Sequence, residues 1–175
     1  MRFIAPLILL QFLGFQVQAS TWYVSNAANN GYAFGSDTND GTTTSTPFFT
    51  IAHADNAASA GDIINVNPSG TSYAEATGSF GYLSVDKQIT IQTDPLLLGA
   101  GKAVIWPSIG ADRPLQLAAN GIVLQDLVID ANSTATLSQG VILQSAVVTV
   151  TLRGCDFKNF PSAASFCISA SILGS

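Results

Sequence analysis

Charge is what this sequence has least of. Six Lys and Arg and eleven Asp and Glu are spread over 175 residues, and no basic run occurs anywhere. That distribution excludes the electrostatic footprint of a nucleic-acid binder or of a protein that docks on anionic membranes. Histidine is reduced to His53, with no Ser, Cys or carboxylate pattern around it, so a solvated helix face is its expected place. The two cysteines, Cys155 and Cys167, are too few for a disulfide framework. Long apolar runs are also scarce: beyond Phe3 to Phe15 nothing approaches the length of a bilayer span.

That one run reads as a secretion signal occupying residues 1–19. Arg2 supplies the positive start, and Val17 and Ala19 stand at the −3 and −1 positions of a cleavage site before Ser20. The expected product is a secreted chain, extracellular or periplasmic, with no membrane span after cleavage. It keeps all eleven carboxylates against five cations (Lys87, Lys102, Arg113, Arg153, Lys158), a net charge of −6. About 156 residues then remain, enough for one domain.

Short apolar alternations recur along this part in three columns. The first holds Leu83/Val85, Leu115/Leu117, Val141/Leu143 and Phe166/Ile168. The second holds Ile89/Ile91, Ile122/Leu124 and Val150/Leu152. The third holds Val104/Trp106, Leu127/Ile129 and Cys155/Phe157. Each stretch has a period of two and is too short for a helix, so each reads as a strand. The later repeats are spaced in the mid-twenties; the segment Thr93 to Lys102 lengthens the earlier ones.

Three strands per turn, with polar or glycine corners such as Asn120-Gly121 and Arg153-Gly154, describe one rung of a coil. Stacked rungs pair each strand with its counterpart about 4.8 Å away and line up inward side chains as ladders. The expected fold is therefore all-β: a right-handed parallel β-helix of about four rungs, its handedness following the general preference of parallel crossovers. Leu117, Leu124, Ile129, Leu143, Val150 and Phe157 are expected to point inward and be nearly fully buried. A β-sandwich also uses short strands, but it calls for hairpin pairs where this sequence has a three-column repeat.

A solenoid end exposes core and strand edges and needs a cap. Pro47 to Ser59 suits an N-terminal capping helix, with Thr46 as N-cap, Pro47 at the first helical position and Gly61 after the last turn. Phe48, Ile51, Ala52 and Ala58 recur at helical spacing and would cover the first rung. The expected division is residues 20–62 as strand, loop and cap, and 63–175 as rungs. Ile64 and Val66 fall in no particular column on sequence alone. From Ser165 a fresh rung begins with no cap after it, so the chain is expected to be the front part of a longer coil.

The opening of the mature region carries a resemblance. Trp22-Tyr23-Val24-Ser25, Asp37-Thr38-Asn39-Asp40-Gly41, Thr46-Pro47-Phe48, Gly61-Asp62 and Tyr73 follow one another as in the N-terminal part of secreted β-helix proteins of the pectin-lyase-like superfamily. That resemblance implies the same architecture and compartment. Many such proteins are lyases or hydrolases of acidic polysaccharides and others are surface proteins, so it leaves the activity open. It also implies that catalytic rungs, where they exist, lie further along the coil.

Asp37, Asn39 and Asp40 are the candidate metal ligands: clustered oxygens beside a glycine turn suit calcium. Asx residues also build turns unaided, and that reading competes. A lyase needs a base and an electrophile at the α-proton, and an inverting hydrolase needs two facing carboxylates. The groups available are Asp126, Asp130, Asp156, Arg153 and Lys158. With a 28-residue offset Lys158 stands one rung above Asp130, the geometry of a surface ion pair worth about 0–1 kcal/mol. Asp126 falls under Gly154 and beside Arg153.

Trp22, Tyr23, Phe80, Tyr82 and Trp106 offer sugar-stacking faces or core packing. Cys155 falls on an inward position and Cys167 on an outward one, which disfavours a disulfide between them. Asn132-Ser133-Thr134 is a glycosylation sequon for a eukaryotic secretory pathway. Three functions fit: a non-catalytic coil that contacts polysaccharide or a cell-surface glycan, the front of a polysaccharide lyase or glycoside hydrolase, and a structural or adhesin-like coil.

Overall fold

The computed structural model describes residues 18–75, 81–107, 113–131, 141–144, 149–160 and 168–170. The signal segment up to residue 17, Phe80, the sequon and Cys167 lie outside the described residues. Among the described residues thirteen short strands form three sheets in which every pairing is parallel.

The first sheet stacks β1 (Thr21–Val24), β2 (Ile63–Val66), β5 (Thr90–Thr93), β8 (Ile122–Gln125) and β11 (Val150–Arg153) in that order. The second stacks β3 (Tyr73–Glu75), β6 (Ala103–Pro107), β9 (Leu127–Asp130) and β12 (Asp156–Lys158). The third stacks β4 (Leu83–Val85), β7 (Leu115–Leu117), β10 (Val141–Leu143) and β13 (Ile168–Ala170). The chain visits the sheets in rotation, so β2-β3-β4, β5-β6-β7, β8-β9-β10 and β11-β12-β13 are four rungs of a parallel β-helix.

Register turns the columns into ladders. Trp22, Ile64, Ile91, Leu124 and Leu152 stack in the first sheet, and Tyr73, Ile105, Ile129 and Phe157 in the second. Leu83, Leu115 and Val141 stack in the third. Ile64, Ile91, Leu124, Ile105, Ile129, Leu83 and Leu115 are fully buried, giving one continuous apolar core. Ile64 and Val66, unplaced by sequence, belong to the first sheet.

Four expectations are corrected. In β6 the inward residues are Ala103 and Ile105, not Val104 and Trp106; one residue of slip exchanges the faces of a strand, and the pairing of Ala103 with Leu127 sets the register. The last member of the first column is Ile168/Ala170, since Val141 pairs with Ile168. Leu143, Val150 and Phe157 pack on the core but are only half-buried, whereas Leu117, Leu124 and Ile129 are fully buried. For Val150 and Phe157 the cause is plain: β11 and β12 are the outermost strands of their sheets.

The fourth concerns the cap. Helix α1 spans Ile51–Ala57 with Thr50 as N-cap, not Pro47 to Ser59 behind Thr46. Phe48 is extended and bridges Val24 in parallel, donating its N–H to Tyr23 O, so residues 47 and 48 cover the open edge of β1. Ile51, Ala54 and Ala58 are buried against the first rung, as a cap requires. Among the described residues no helix is long and apolar enough to cross a membrane.

Candidate functional site

The loop from Ser25 to Thr50 returns to the start of the coil and meets β3, the edge strand of the second sheet. Between them lies a groove of about 200 Å³, lined by Asn26, Phe34, Phe49, Thr50 and residues 71–75. Phe48 and Phe49 explain its apolar wall. Neighbours on extended backbone point to opposite sides, so burial of Phe48 turns Phe49 outward. Phe49 is 39% exposed and meets Phe34, 60% exposed, with ring centroids 5.5 Å apart.

The wall is held by side-chain oxygens. Asp37 Oδ1 accepts from the N–H groups of Phe49 and Thr50, each at 2.9 Å, and Asp37 Oδ2 accepts from Thr50 Oγ1 at 2.9 Å. Thr50 Oγ1 in turn accepts from His53 N at 3.1 Å. Glu75 completes the set, its two oxygens accepting from Ile51 N and Ala52 N at 2.9 Å. Five consecutive amides at the start of α1 are thus satisfied by two carboxylates and a hydroxyl. Burial pushes Glu75 up to about 7, against the pull of its two amide donors and with the Asp37 charge adding to the rise.

On the polar side, Asn26 Nδ2 donates to the carbonyls of Thr71 and Ser72, fixing the backbone next to β3. The hydroxyls of Thr71 and Ser72 take no partner among the described residues, and no cation lines the groove.

The three candidate metal ligands are all present in the loop and all bonded within it. Asp37 acts as described, Asn39 Nδ2 donates to Pro47 O at 2.8 Å, and Asp40 Oδ1 accepts from Thr42 N, Thr42 Oγ1 and Thr46 Oγ1. Those donors hold the Asp40 carboxyl below its ordinary range. Among the described residues no three His, Cys, Asp or Glu side chains converge in a way that could hold a metal ion.

The groups that lyase or hydrolase chemistry would draw on are dispersed into rung-to-rung contacts. Lys158 does stand opposite Asp130, whose two oxygens both accept from Asn159 Nδ2 at 2.9 and 3.0 Å. Asp156 pairs with Lys102 at 3.1 Å, and Arg153 donates to Gln125. Asp126 lies under Gly154 and donates its N–H to Arg153 O, as its place in the repeat requires.

Of the aromatic candidates, Trp22 stacks on Phe48 and donates Nε1–H to Asp62, while Tyr82 is buried under the Arg113 guanidinium. Tyr23 tilts against Tyr32, and Trp106 is half-buried. His53 is not on a solvated face: it is half-buried with its ring edge-on to Phe48. Cys155 is free, and burial raises its thiol above the ordinary range.

Sequence reasoning missed Phe34, Phe49 and Glu75. The signal for Phe49 was the Phe48-Phe49 doublet, of which an extended segment buries only one. Phe34 and Glu75 carried no local signal, because each acquires its role from a partner far along the chain.

The architecture and the groove define a parallel β-helix protein with a capped N-terminal end. A family model described as "Protein of unknown function (DUF1565)" matches residues 33–164, and the chain belongs to that family. No curated protein matches it.

Proposed function

We propose that this chain is a secreted β-helix protein of the pectin-lyase-like kind, which associates with polysaccharide or a cell-surface glycan without cleaving it. The groove beside β3 carries this reading: two exposed aromatic rings and two residues with free hydroxyls line it together, the composition of a sugar-contacting surface. The signal-like start and the resemblance at Trp22 to Tyr73 support the compartment and the substrate class. Asp126, Asp130, Asp156 and Arg153 act as rung-to-rung contacts rather than as a base facing a cleft. Calcium at Asp37, Asn39 and Asp40 is no part of the proposal, since their side chains already serve the loop.

The test is co-sedimentation of the full chain with insoluble polysaccharides, together with lyase and reducing-end assays, with and without calcium. Retention on a polysaccharide with no new unsaturated or reducing ends is expected. Turnover that disappears in Asp126→Ala or Asp130→Ala would make the chain an enzyme.

A further inference from the structure

The groove also indicates which kind of sugar it takes. Its lining brings together two exposed phenylalanine rings, Thr71 and Ser72 with their unpartnered hydroxyls, and Glu75 of β3. Lys and Arg do not contribute to the lining. Recognition of a carboxylated or sulfated sugar relies on Arg or Lys, because a desolvated anion without a countercharge is costly. Among the lining residues the titratable side chains are Tyr73 and Glu75, neither of them a cation, and Glu75 is 1% exposed and held by the amides of Ile51 and Ala52. A purely apolar ligand fits no better, because it would cover the Thr71 and Ser72 hydroxyls without returning a hydrogen bond.

We infer that the groove beside β3 is a binding site for one unit of an uncharged sugar, its apolar face on Phe34 and Phe49 and its hydroxyls toward Thr71 and Ser72. The volume agrees: about 200 Å³ is below the ~300–1,000 Å³ of sites for drug-sized ligands and suits a single ring, within a chain or at its end. The site lies beside the cap, at the edge strand β3 of the second sheet. This inference rests on the glycan-association reading and narrows it, against the acidic polymers that the resemblance would suggest.

The experiment is calorimetric titration of the full chain with oligosaccharides of matched length: gluco-, manno- and xylo-oligomers against oligogalacturonate and oligomannuronate. Saturation-transfer NMR identifies the bound protons. At least one neutral series should bind about tenfold more tightly than either uronate. Phe34→Ala should weaken it about tenfold without lowering the melting temperature, since Phe34 is 60% exposed. Phe49→Ala and the Thr71→Ala/Ser72→Ala double variant should each weaken it too.

Tighter, salt-sensitive binding of a uronate would overturn the neutral-sugar assignment and leave glycan association standing. Failure of every sugar to bind would sink both. Neutral-sugar binding unchanged in Phe34→Ala and Phe49→Ala would place the site elsewhere. Self-association or peptide binding abolished by those substitutions, with no sugar competing, would show that the groove serves a protein partner.

Discussion

The two ends of the described coil are built differently. At the N-terminal end a helix, a long polar loop and an extra strand close the core. Ile51, Ala54, Phe48 and Val24 are buried there, and Asp62 Oδ1 and Oδ2 accept from Ser20 N, Trp22 Nε1 and Ser59 N at 2.8–2.9 Å. At the other end β11 and β12 stand at the sheet edges, and Val150, Leu152 and Phe157 are half-buried. A solenoid's core is only as dry as its neighbouring rung makes it. The capped end can therefore hold a preorganised groove.

The sharpest break of this comparison is a matched pair of truncations. Leu124→Ala, in a fully buried ladder, should cost about 2–5 kcal/mol in denaturant unfolding, because the stacked rungs cannot collapse into the cavity. Phe157→Ala, in the outermost strand of its sheet, should cost less than half as much despite the larger side chain. Equal losses would mean the two ends are equally packed.

Glycine substitution draws the same contrast. A Cβ at Gly35 would sit 2.1 Å from Ser25 O and 2.2 Å from Phe48 O, both backbone atoms of the cap. Gly35→Ala should cost about 3 kcal/mol by thermal melts. At Gly154 the φ is +61° and the clashing atom is the movable Asp126 carboxylate, so Gly154→Ala should cost about 1–2 kcal/mol.

The pH profile sharpens it further. Burial raises Glu75 to about 7 and Asp55 to about 6; Lys87 partly offsets the rise at Asp55 and Asp86 adds to it. Both carboxyls lie in or against the cap. A carboxyl raised in the folded state favours folding once protonated, so stability should be greatest near and below the unfolded values and fall as pH rises through about 6 to 7. Between about pH 8 and pH 5 the chain should gain on the order of 2 kcal/mol, and Asp55→Asn should flatten the profile. Asp62 acts oppositely. Burial alone would raise it, but the donors Ser59 N, Trp22 Nε1 and Ser20 N hold it below the ordinary range, so its contribution is lost at still lower pH.

The smallest expected effect comes from processing. Cleavage before Ser20, as proposed, turns the Ser20 nitrogen into an ammonium group 2.8 Å from Asp62 Oδ1. A charge-assisted bond then replaces a neutral donor, and the processed chain should be about 1 kcal/mol more stable than the unprocessed one. Comparative melting of the two forms, with Asp62→Asn erasing the difference, checks it.

Much of the fold was legible in the sequence because a coil repeats its physics. Leu115/Leu117, Ile122/Leu124 and Leu127/Ile129 alternate with period two at a near-constant offset, and like residues stack on like. The repeat became ambiguous where it was short or interrupted. Val104-Ile105-Trp106 is apolar throughout, so alternation could not choose a face, and the pairing with β9 did. The capping segment misled through Thr46-Pro47, a good helix start in isolation; the free edge of β1 recruited Phe48 as extended backbone and moved the start to Ile51.

The sequence by itself determined the number of strands per rung, the stacked core and the presence of a cap, all written in local periodicity and turn residues. The groove was decided only by tertiary structure. Phe34 meets Phe49, Asp37 reaches Phe49 and Thr50, and Glu75 reaches Ile51 across a strand and a loop. Those partners are brought together by closure of the coil's first turn, and no period in the sequence records a contact made once.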